Sequence, residues 1–171
     1  NVLVVGAGIK TGLNIRIDNP AQLGSDLVVD SVAAIVGYPA PLLIFDLGTA
    51  NTVCVIDKNK NYIGGMIYPG IGVSLDSLTA HASQLGGISI EAPEHMIGKN
   101  TTECMKSGLI YSSAAAMDGI IDRLQEQLGG EATVIATGGL AKKIVPHCRR
   151  EIILDDDLLL KGLLIIYRKN R

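Results

Sequence analysis

An acidic turn between two apolar runs is the part of this sequence best suited to chemistry. Residues 42–45 are apolar, Asp46 follows them, and Gly48 and Thr49 come before a second β-prone run at residues 53–56. An apolar run bounded by turn residues predicts a buried strand. Glycine lets the backbone come close to a ligand, and a threonine hydroxyl can donate and accept hydrogen bonds. The pattern therefore predicts a hairpin whose turn can approach a ligand.

Asp46 itself directly follows four apolar residues, so its carboxylate would lie at the edge of the core. A carboxylate in such a place needs a partner. Hard cations take oxygen ligands, and a carboxylate at the end of a strand can supply one. The alternative is a turn residue that only ends the strand, and the buried surroundings make that alternative weaker.

Two more polar residues lie where a predicted helix starts. Asp26 falls early in a helix, where the positive end of the helix dipole favours an ionised carboxylate. Such a carboxylate can orient a hydroxyl group and accept its proton. From the residues alone, a carboxylate that merely caps the helix is the favoured alternative. Thr101 falls in the first turn of the longest helix, where it could cap the helix, meet an anion, or do both.

Composition excludes several classes of function. The chain has 171 residues, 47% of them apolar, and a net charge of −2, so it has ample core and no basic field for nucleic acid. No Lys/Arg run indicates an anionic membrane surface. The most apolar stretch, residues 158–167, contains Lys161 and is shorter than the ~20 residues that a bilayer requires. It predicts a buried C-terminal helix, and three scattered cysteines fit a reducing cytosol.

These residues must be positioned by alternating strands and helices, an α/β pattern. The helix at residues 101–128 is the best supported, because apolar residues repeat at three and four, Asn100 and Glu103 resemble a capping box, and Gly129 can end the helix. Asn19 and Pro20 are expected to start a helix that reaches residue 36. The three aspartates at residues 155–157 are expected to form a solvated turn and the N-cap of the last helix rather than a metal site. Strands are expected at residues 2–5, 42–45, 52–56, 62–67, 132–136 and 151–154.

Seven short motifs connect these elements to a known family. They are Gly8-Ile9-Lys10-Thr11-Gly12, Asp18-Asn19-Pro20 with Leu23-Gly24-Ser25-Asp26, Asp46-Leu47-Gly48-Thr49-Ala50-Asn51-Thr52, Tyr62-Ile63-Gly64-Gly65 with Tyr68-Pro69-Gly70, Ile97-Gly98-Lys99-Asn100-Thr101, Ser107-Gly108, and Thr137-Gly138-Gly139-Leu140-Ala141. In this order they resemble the type III pantothenate kinases over nearly the whole chain.

The resemblance implies a fold and an activity. The family has the duplicated actin-like ATPase (ribonuclease H-like) α/β fold, and its members are dimers. They phosphorylate pantothenate to 4'-phosphopantothenate with ATP, which is the first step of coenzyme A synthesis. They need a divalent cation such as Mg²⁺ and a monovalent cation, K⁺ or NH₄⁺. The resemblance therefore implies a cytoplasmic homodimeric kinase that uses ATP.

The resemblance also assigns roles to matching positions. Asp26 corresponds to the catalytic base and Asp46 to the ligand of the monovalent cation. Substrate binding is implied for Gly24, Ser25, Asp26, Leu27 and Thr101. ATP binding is implied for Gly48, Thr49, Gly138 and Gly139, although the last two could form a plain strand-to-helix turn.

Two departures from the family affect these expectations. Leu27 stands where the family has an arginine that helps to hold the substrate. Loss of a charge-assisted hydrogen bond, worth roughly 1.5–3 kcal/mol, would weaken binding roughly ten- to a hundred-fold. Lys10, Lys99 or a residue of a partner subunit could compensate, or the substrate could differ.

The second departure is that no Asp-x-Gly-Asn-Thr phosphate loop precedes Asn1, whereas family members begin with a hairpin that carries one. We therefore expect residues 1–40 to be the end of a first actin-like subdomain with its catalytic helix, and residues 41–171 to be the second subdomain. We also expect these 171 residues alone to have little kinase activity.

Two other functions remain open from the sequence. One is a non-catalytic regulatory relative that kept the fold, which Leu27 and the missing loop both favour somewhat. The other is a kinase of the same superfamily that acts on a different small hydroxyl substrate. Failure to bind pantothenate would favour the regulatory relative over the pantothenate kinase. A panel of substrates offered with ATP would distinguish a kinase that acts on another hydroxyl compound.

Overall fold

A mixed β-sheet forms the centre of the computed structural model, which describes residues 2–6, 8–81 and 87–171. The strand order in the sheet is β1-β4-β3-β2-β5-β6. The strands are β1 (Asn14–Ile15), β2 (Leu42–Leu47), β3 (Ala50–Ile56), β4 (Asn61–Pro69), β5 (Thr133–Thr137) and β6 (Ile153–Leu154). The helices are α1 (Ser25–Gly37), α2 (Ile71–His81), α3 (Thr101–Leu128), α4 (Ala141–Ile144) and α5 (Leu158–Lys169), with 3-10 turns at Pro20–Gln22 and Val145–His147.

Strand β2 lies near the middle of the sheet and sets the position of Asp46. It pairs antiparallel with β3 and parallel with β5, so that Asp46 lies opposite Thr52 on one side and Thr137 on the other. Residues 42–45 are fully buried because helices cover both faces of the sheet. The predicted hairpin of β2 and β3 is confirmed.

Two layers of helices cover the sheet, and alternate residues of β2 face different layers. Leu42 and Ile44 pack in the cluster beneath α1. Leu43, Phe45 and Leu47 pack in the cluster beneath α3. By this alternation Asp46 belongs to the face covered by α1 and α5, at the end of the strand.

Helices α1 and α5 cross closely above that face. A Cβ atom built at Gly162 of α5 would lie 2.1 Å from the carbonyl oxygen of Val29 in α1. The two backbones can approach this far only because residue 162 has no side chain. Ile166, one turn further along α5, is fully buried against Val29 and Val32.

Helix α3 agrees with its prediction at both ends. The side chain of Asn100 accepts a hydrogen bond from the Glu103 amide at 3.0 Å, and the Glu103 carboxylate accepts one from the Lys99 amide at 3.0 Å. Gly129 ends the helix with a left-handed φ of 75°. The predicted helix from 101 to 128 is confirmed.

Other predicted elements are wrong or incomplete. Residues 2–5 form no strand, because no described strand pairs with them, and Val2 is 93% exposed. The helix expected from residue 20 to 36 is divided, since a 3-10 turn capped by Asn19 ends before Gly24 and α1 starts at Ser25. Helix α2 was not predicted, and the last strand is only Ile153–Leu154.

The C-terminal helix is not buried as expected. Only Leu158, Gly162 and Ile166 of α5 are buried, whereas Leu160 is 64% exposed. A helix that packs on a sheet buries only the stripe of its own surface that faces the sheet. The other leucines of α5 therefore face outward. No described helix has the combination of length and apolar character needed to cross a bilayer.

The expectation for the aspartates before α5 is only partly confirmed, because Asp157 occupies the N-cap position of α5 but the turn is not fully solvated. Asp155 is only 5% exposed. It accepts hydrogen bonds from the Tyr38 hydroxyl at 2.6 Å and from the Lys161 ammonium at 2.7 Å. Asp155 therefore joins the end of α1 to α5. The expected boundary between subdomains at residue 40 stays a prediction, although α1 packs on the same sheet as the rest of the chain.

Candidate active site

The carboxyl ends of β2 and β5 and the first turn of α1 meet at one edge of the sheet. They line a cavity of about 550 Å³. Its lining includes Asp26, Asp30, Asp46, Thr137, Gly138 and Gly139. We call this the acidic cavity. Ligands of α/β proteins commonly bind outside the carboxyl ends of the strands.

Helix α1 supplies two carboxyl groups to the acidic cavity. Gly24 occupies the N-cap position, and Asp26 lies in the first turn. Asp26 is exposed, and its Oδ1 accepts a hydrogen bond from the Leu27 amide at 2.9 Å. Asp30 follows one helical turn later on the same side of the helix. The sequence predicted Asp26 in this place but not Asp30.

Asp46 is held beneath the bend that follows β5. A Cβ atom built at Gly138 would lie 2.4 Å from Oδ1 of Asp46 and 2.7 Å from the Leu47 amide nitrogen. Gly138 also has a φ of 92°, so the bend requires glycine twice over. Burial raises the pKa of Asp46, and the negative charge of Asp26 raises it further. The backbone at Gly138 therefore packs directly against the carboxyl group of Asp46.

Asp30 is the most confined of the carboxyl groups in the acidic cavity. It is 2% exposed, and its Oδ1 is buried without a hydrogen-bond partner among the described residues. Burial raises the pKa of Asp30 to about 7, with smaller contributions from the charges of Asp46, Asp26 and Asp155. Like Asp46, Asp30 is an acid among buried apolar residues and therefore needs a partner. The apolar sequence on both sides of Asp30 could have identified it as a candidate site residue.

The positive groups near the acidic cavity already have partners. Lys142, which lines the cavity, pairs with Asp156. Lys161 pairs with Asp155. Burial alone would raise the pKa of Asp155, but hydrogen bonds from Lys161 and Tyr38 hold it below its ordinary value. Neither lysine therefore pairs with Asp26, Asp30 or Asp46.

This arrangement fits a hard cation held by mixed oxygen ligands. Carboxyl oxygens of Asp46 and Asp30 and the hydroxyl of Thr137 are all of the hard type. The unpartnered Oδ1 of Asp30 is an observation in favour of such an ion. In the described ranges no group of three or more His, Cys, Asp or Glu residues is arranged to hold a metal ion. The donor set is therefore mixed, with carboxyl and hydroxyl oxygens, rather than made of three or more carboxylates.

The turn between β2 and β3 lies at the same edge of the sheet. Gly70, after β4, donates its amide to the Thr49 carbonyl at 3.1 Å. A Cβ atom at Gly70 would lie 2.3 Å from the carbonyl oxygen of Gly48. Gly48 and Thr49 are thus braced by the end of β4, beside Asp46, but they do not line the acidic cavity.

Thr101 lies elsewhere. It lines a groove of about 940 Å³ between α2 and α3, together with Ser74, Gly98, Asn100 and Cys104, which we call the α2–α3 groove. Leu27 packs partly buried against the cluster beneath α1. Gly24 and Ser25 flank Asp26 without lining the acidic cavity. The structure therefore brings together Asp26, Asp46, Gly138 and Gly139, and leaves Thr101 in a second cavity.

Comparison with known proteins agrees with the motifs. The family model for type III pantothenate kinase matches residues 1–123. The chain is 46% identical over 169 residues to a type III pantothenate kinase of an Exiguobacterium species, covering 99% of this chain and 66% of the relative. It is 48% identical over 168 residues to that of Exiguobacterium sibiricum, covering 98% of this chain and 66% of the relative. The chain belongs to the type III pantothenate kinase family.

A solved structure supports the fold. A Campylobacter jejuni protein described as a Baf family transcriptional activator matches with a TM-score of 0.61 at 22% identity, over 94% of this chain and 70% of that one. The predicted α/β fold class is confirmed, since helices cover a mixed β-sheet and this solved structure has a similar fold. The chain spans only 64–66% of the length of the curated type III pantothenate kinases that it matches.

Proposed function

We propose that the protein phosphorylates pantothenate to 4'-phosphopantothenate with ATP. The observation that supports this most directly is that Asp26, Asp46 and the Gly138-Gly139 bend line one cavity at the carboxyl edge of the sheet, in a chain of this family. The same proposal includes a homodimer in the cytoplasm. A non-catalytic regulatory role is not favoured by this collection of polar groups.

Asp26 is the proposed base. Its exposed carboxylate is fixed by the Leu27 amide and faces a cavity large enough for the end of a small substrate. It would orient the primary hydroxyl and accept its proton as the oxygen–phosphorus bond forms and the bond to ADP breaks. Phosphoryl transfer needs mainly positioning and charge stabilisation, and an oriented hydroxyl provides the first of these.

The glycine turns are the proposed contacts for ATP. Gly48 and Thr49 present backbone amides and a hydroxyl at the sheet edge. Gly138 passes close to Asp46, and Gly139 lines the acidic cavity. Turns without side chains let the backbone approach phosphate oxygens. A monovalent cation would be held at Asp46, and a divalent cation would supply charge neutralisation to the phosphates when bound.

Pantothenate is the proposed acceptor at Asp26. Thr101 of the same chain lies in the separate α2–α3 groove, so its proposed contact with pantothenate requires a second subunit of the proposed homodimer. Leu27 provides no hydrogen-bond donor, so another group must hold the carboxylate of pantothenate. Lys99 lines the α2–α3 groove beside Thr101 and is a candidate for that role. A panel of small hydroxyl substrates offered with ATP distinguishes pantothenate from a different acceptor.

The test is a substitution in the full-length protein. Asp26→Asn should lower kcat for ATP-dependent phosphorylation of pantothenate by about 10²–10⁴-fold, because general-base catalysis contributes that much. Asp76→Asn, on the exposed side of α2, is the matched control and should keep the wild-type rate. Release of ADP is measured in a coupled assay, and circular dichroism checks folding. If Asp26→Asn folds and turns over at the wild-type rate, Asp26 is not the base.

A further inference from the structure

We propose that Asp30 is a second carboxyl ligand of the cation in the acidic cavity, which it holds together with Asp46. This inference rests on the cation site included in the proposed function. It adds a residue that the family motifs did not single out. It also specifies the ligand class as a monovalent hard cation, with K⁺ as the probe.

The first argument is the confinement of Asp30. Its side chain is 2% exposed, it lines the acidic cavity, and its Oδ1 has no hydrogen-bond partner among the described residues. A buried carboxylate without a partner is costly, so in its ionised form such a group is paired or coordinates an ion. An occupant of the cavity is therefore expected to complete the surroundings of Asp30.

The second argument is that the elements packed around Asp30 bring further carboxyl groups close to it. Asp26 comes from α1 itself, Asp46 from β2, and Asp155 from the segment before α5. From the sheet, the Cys54 thiol, whose pKa is raised by burial, lies close enough for the charge of Asp30 to raise that pKa further. Like charges this close repel each other, and above the raised pKa of Asp30 a positive charge is what relieves them.

The third argument is that no described cation is free to do this. Lys161 donates to both oxygens of Asp155, and Lys142 pairs with Asp156. Withdrawing Lys161 would remove the positive partner of the buried Asp155, and withdrawing Lys142 would break its pair with Asp156. In the part of the chain that the structure describes, Asp30 and Asp46 therefore lack a counter-charge. A diffusible cation next to both carboxyl groups supplies it.

The test measures the K⁺ dependence of thermal unfolding in full-length protein at pH 8, with choline chloride replacing KCl at equal ionic strength. A cation that binds only the native state raises the unfolding midpoint as its concentration rises. The midpoint of wild type and of the Asp76→Asn control should rise with KCl. Asp30→Asn and Asp46→Asn should each weaken the apparent K⁺ affinity at least about ten-fold, as expected when one of two charged ligands is lost.

The outcomes separate this inference from the proposed function. If Asp46→Asn loses the K⁺ response and Asp30→Asn keeps it, Asp30 is not a ligand. If wild type does not respond to K⁺, the cation site and this inference both fail, while the phosphorylation assay still decides the kinase activity independently.

A measurement on wild-type protein covers the case in which Asp30→Asn does not fold. Crystals of the full-length protein soaked in RbCl should show an anomalous difference peak in direct contact with carboxyl oxygens of both Asp30 and Asp46. A peak that contacts Asp46 alone, or no peak in the acidic cavity, overturns the proposal.

Discussion

Asp30 should make the stability of the protein depend on pH in an unusual direction. Its pKa is raised from 3.8 to about 7 in the folded chain, chiefly by burial. Between these two values the folded state holds a proton that the unfolded state has lost. Stability therefore falls as pH rises from about 4 to 7, because the native state binds more protons over that interval.

Asp30→Asn removes this dependence. In buffer without K⁺ or Na⁺, the free energy of unfolding of the variant relative to wild type should rise by about 2–4 kcal/mol between pH 4 and pH 8. Urea unfolding at several pH values measures it. Asp76→Asn, an exposed aspartate, is the control and should follow wild type at every pH. A difference between Asp30→Asn and wild type that stays constant with pH would contradict the raised pKa of Asp30.

At the residue scale, two of the three carboxyl groups of the acidic cavity that have no lysine partner were predictable. Asp46 ends an apolar run, and Asp26 starts a helix inside a family motif. Asp30 carries the same signal as Asp46, an acid within buried apolar residues, but no motif drew attention to it. The partition of Asp26 and Thr101 into two cavities was not predictable, because it depends on how α1 and α3 cover opposite faces of the sheet.

Among the elements, the crossing of α1 and α5 depends on one glycine. Gly162→Ala would place a methyl group 2.1 Å from the Val29 carbonyl oxygen, which is backbone and cannot rotate away. The helices must separate to accommodate it. We expect the free energy of unfolding to fall by about 1–3 kcal/mol, as for other overpacked contacts, and urea denaturation measures it.

Gly108→Ala is the matched control for this substitution. Gly108 also lies within a helix, but a Cβ atom there has no neighbour within 4 Å. Alanine should raise stability by up to about 1 kcal/mol, because it favours helix and restricts the unfolded chain. If Gly162→Ala and Gly108→Ala have the same free energy of unfolding, the backbones of α1 and α5 do not approach each other as closely as described.

The elements themselves were predictable where local signals were complete. Helix α3 has a cap at each end and a continuous apolar face, and its bounds were predicted correctly. The start of α1 was not predicted correctly, because Asn19 and Pro20 begin a short 3-10 turn. Gly24 separates this turn from α1. Residues 2–5 have strand propensity, yet a strand also needs a neighbour, and propensity does not supply one.

For the molecule as a whole, Asp155 connects parts that are distant in sequence. Its carboxylate accepts from Tyr38 at the end of α1 and from Lys161 on α5. Lys161→Met leaves a buried carboxylate with one fewer partner. Because the Lys161 side chain is 54% exposed, we expect a loss of about 1–2 kcal/mol at pH 7 rather than the full cost of a buried pair.

The pH dependence of this loss follows from the lowered pKa of Asp155. A carboxyl group with a depressed folded pKa stabilises the protein above its ordinary pKa of 3.8, and that contribution disappears as pH falls. The difference between Lys161→Met and wild type should therefore shrink below about pH 4. Lys142→Met breaks the exposed pair with Asp156 and is the control, for which no measurable change is expected. Equal effects of the two variants in urea unfolding would contradict the role of Asp155.

The three thiols differ in a way that makes spectroscopy possible without mutagenesis. Burial raises the pKa of Cys54 and of Cys148 to about 12, whereas Cys104 is exposed on α3. A maleimide dye at neutral pH should therefore attach to a single position. That position lines the α2–α3 groove beside Thr101, so changes in the dye's emission would follow entry of small molecules there in real time.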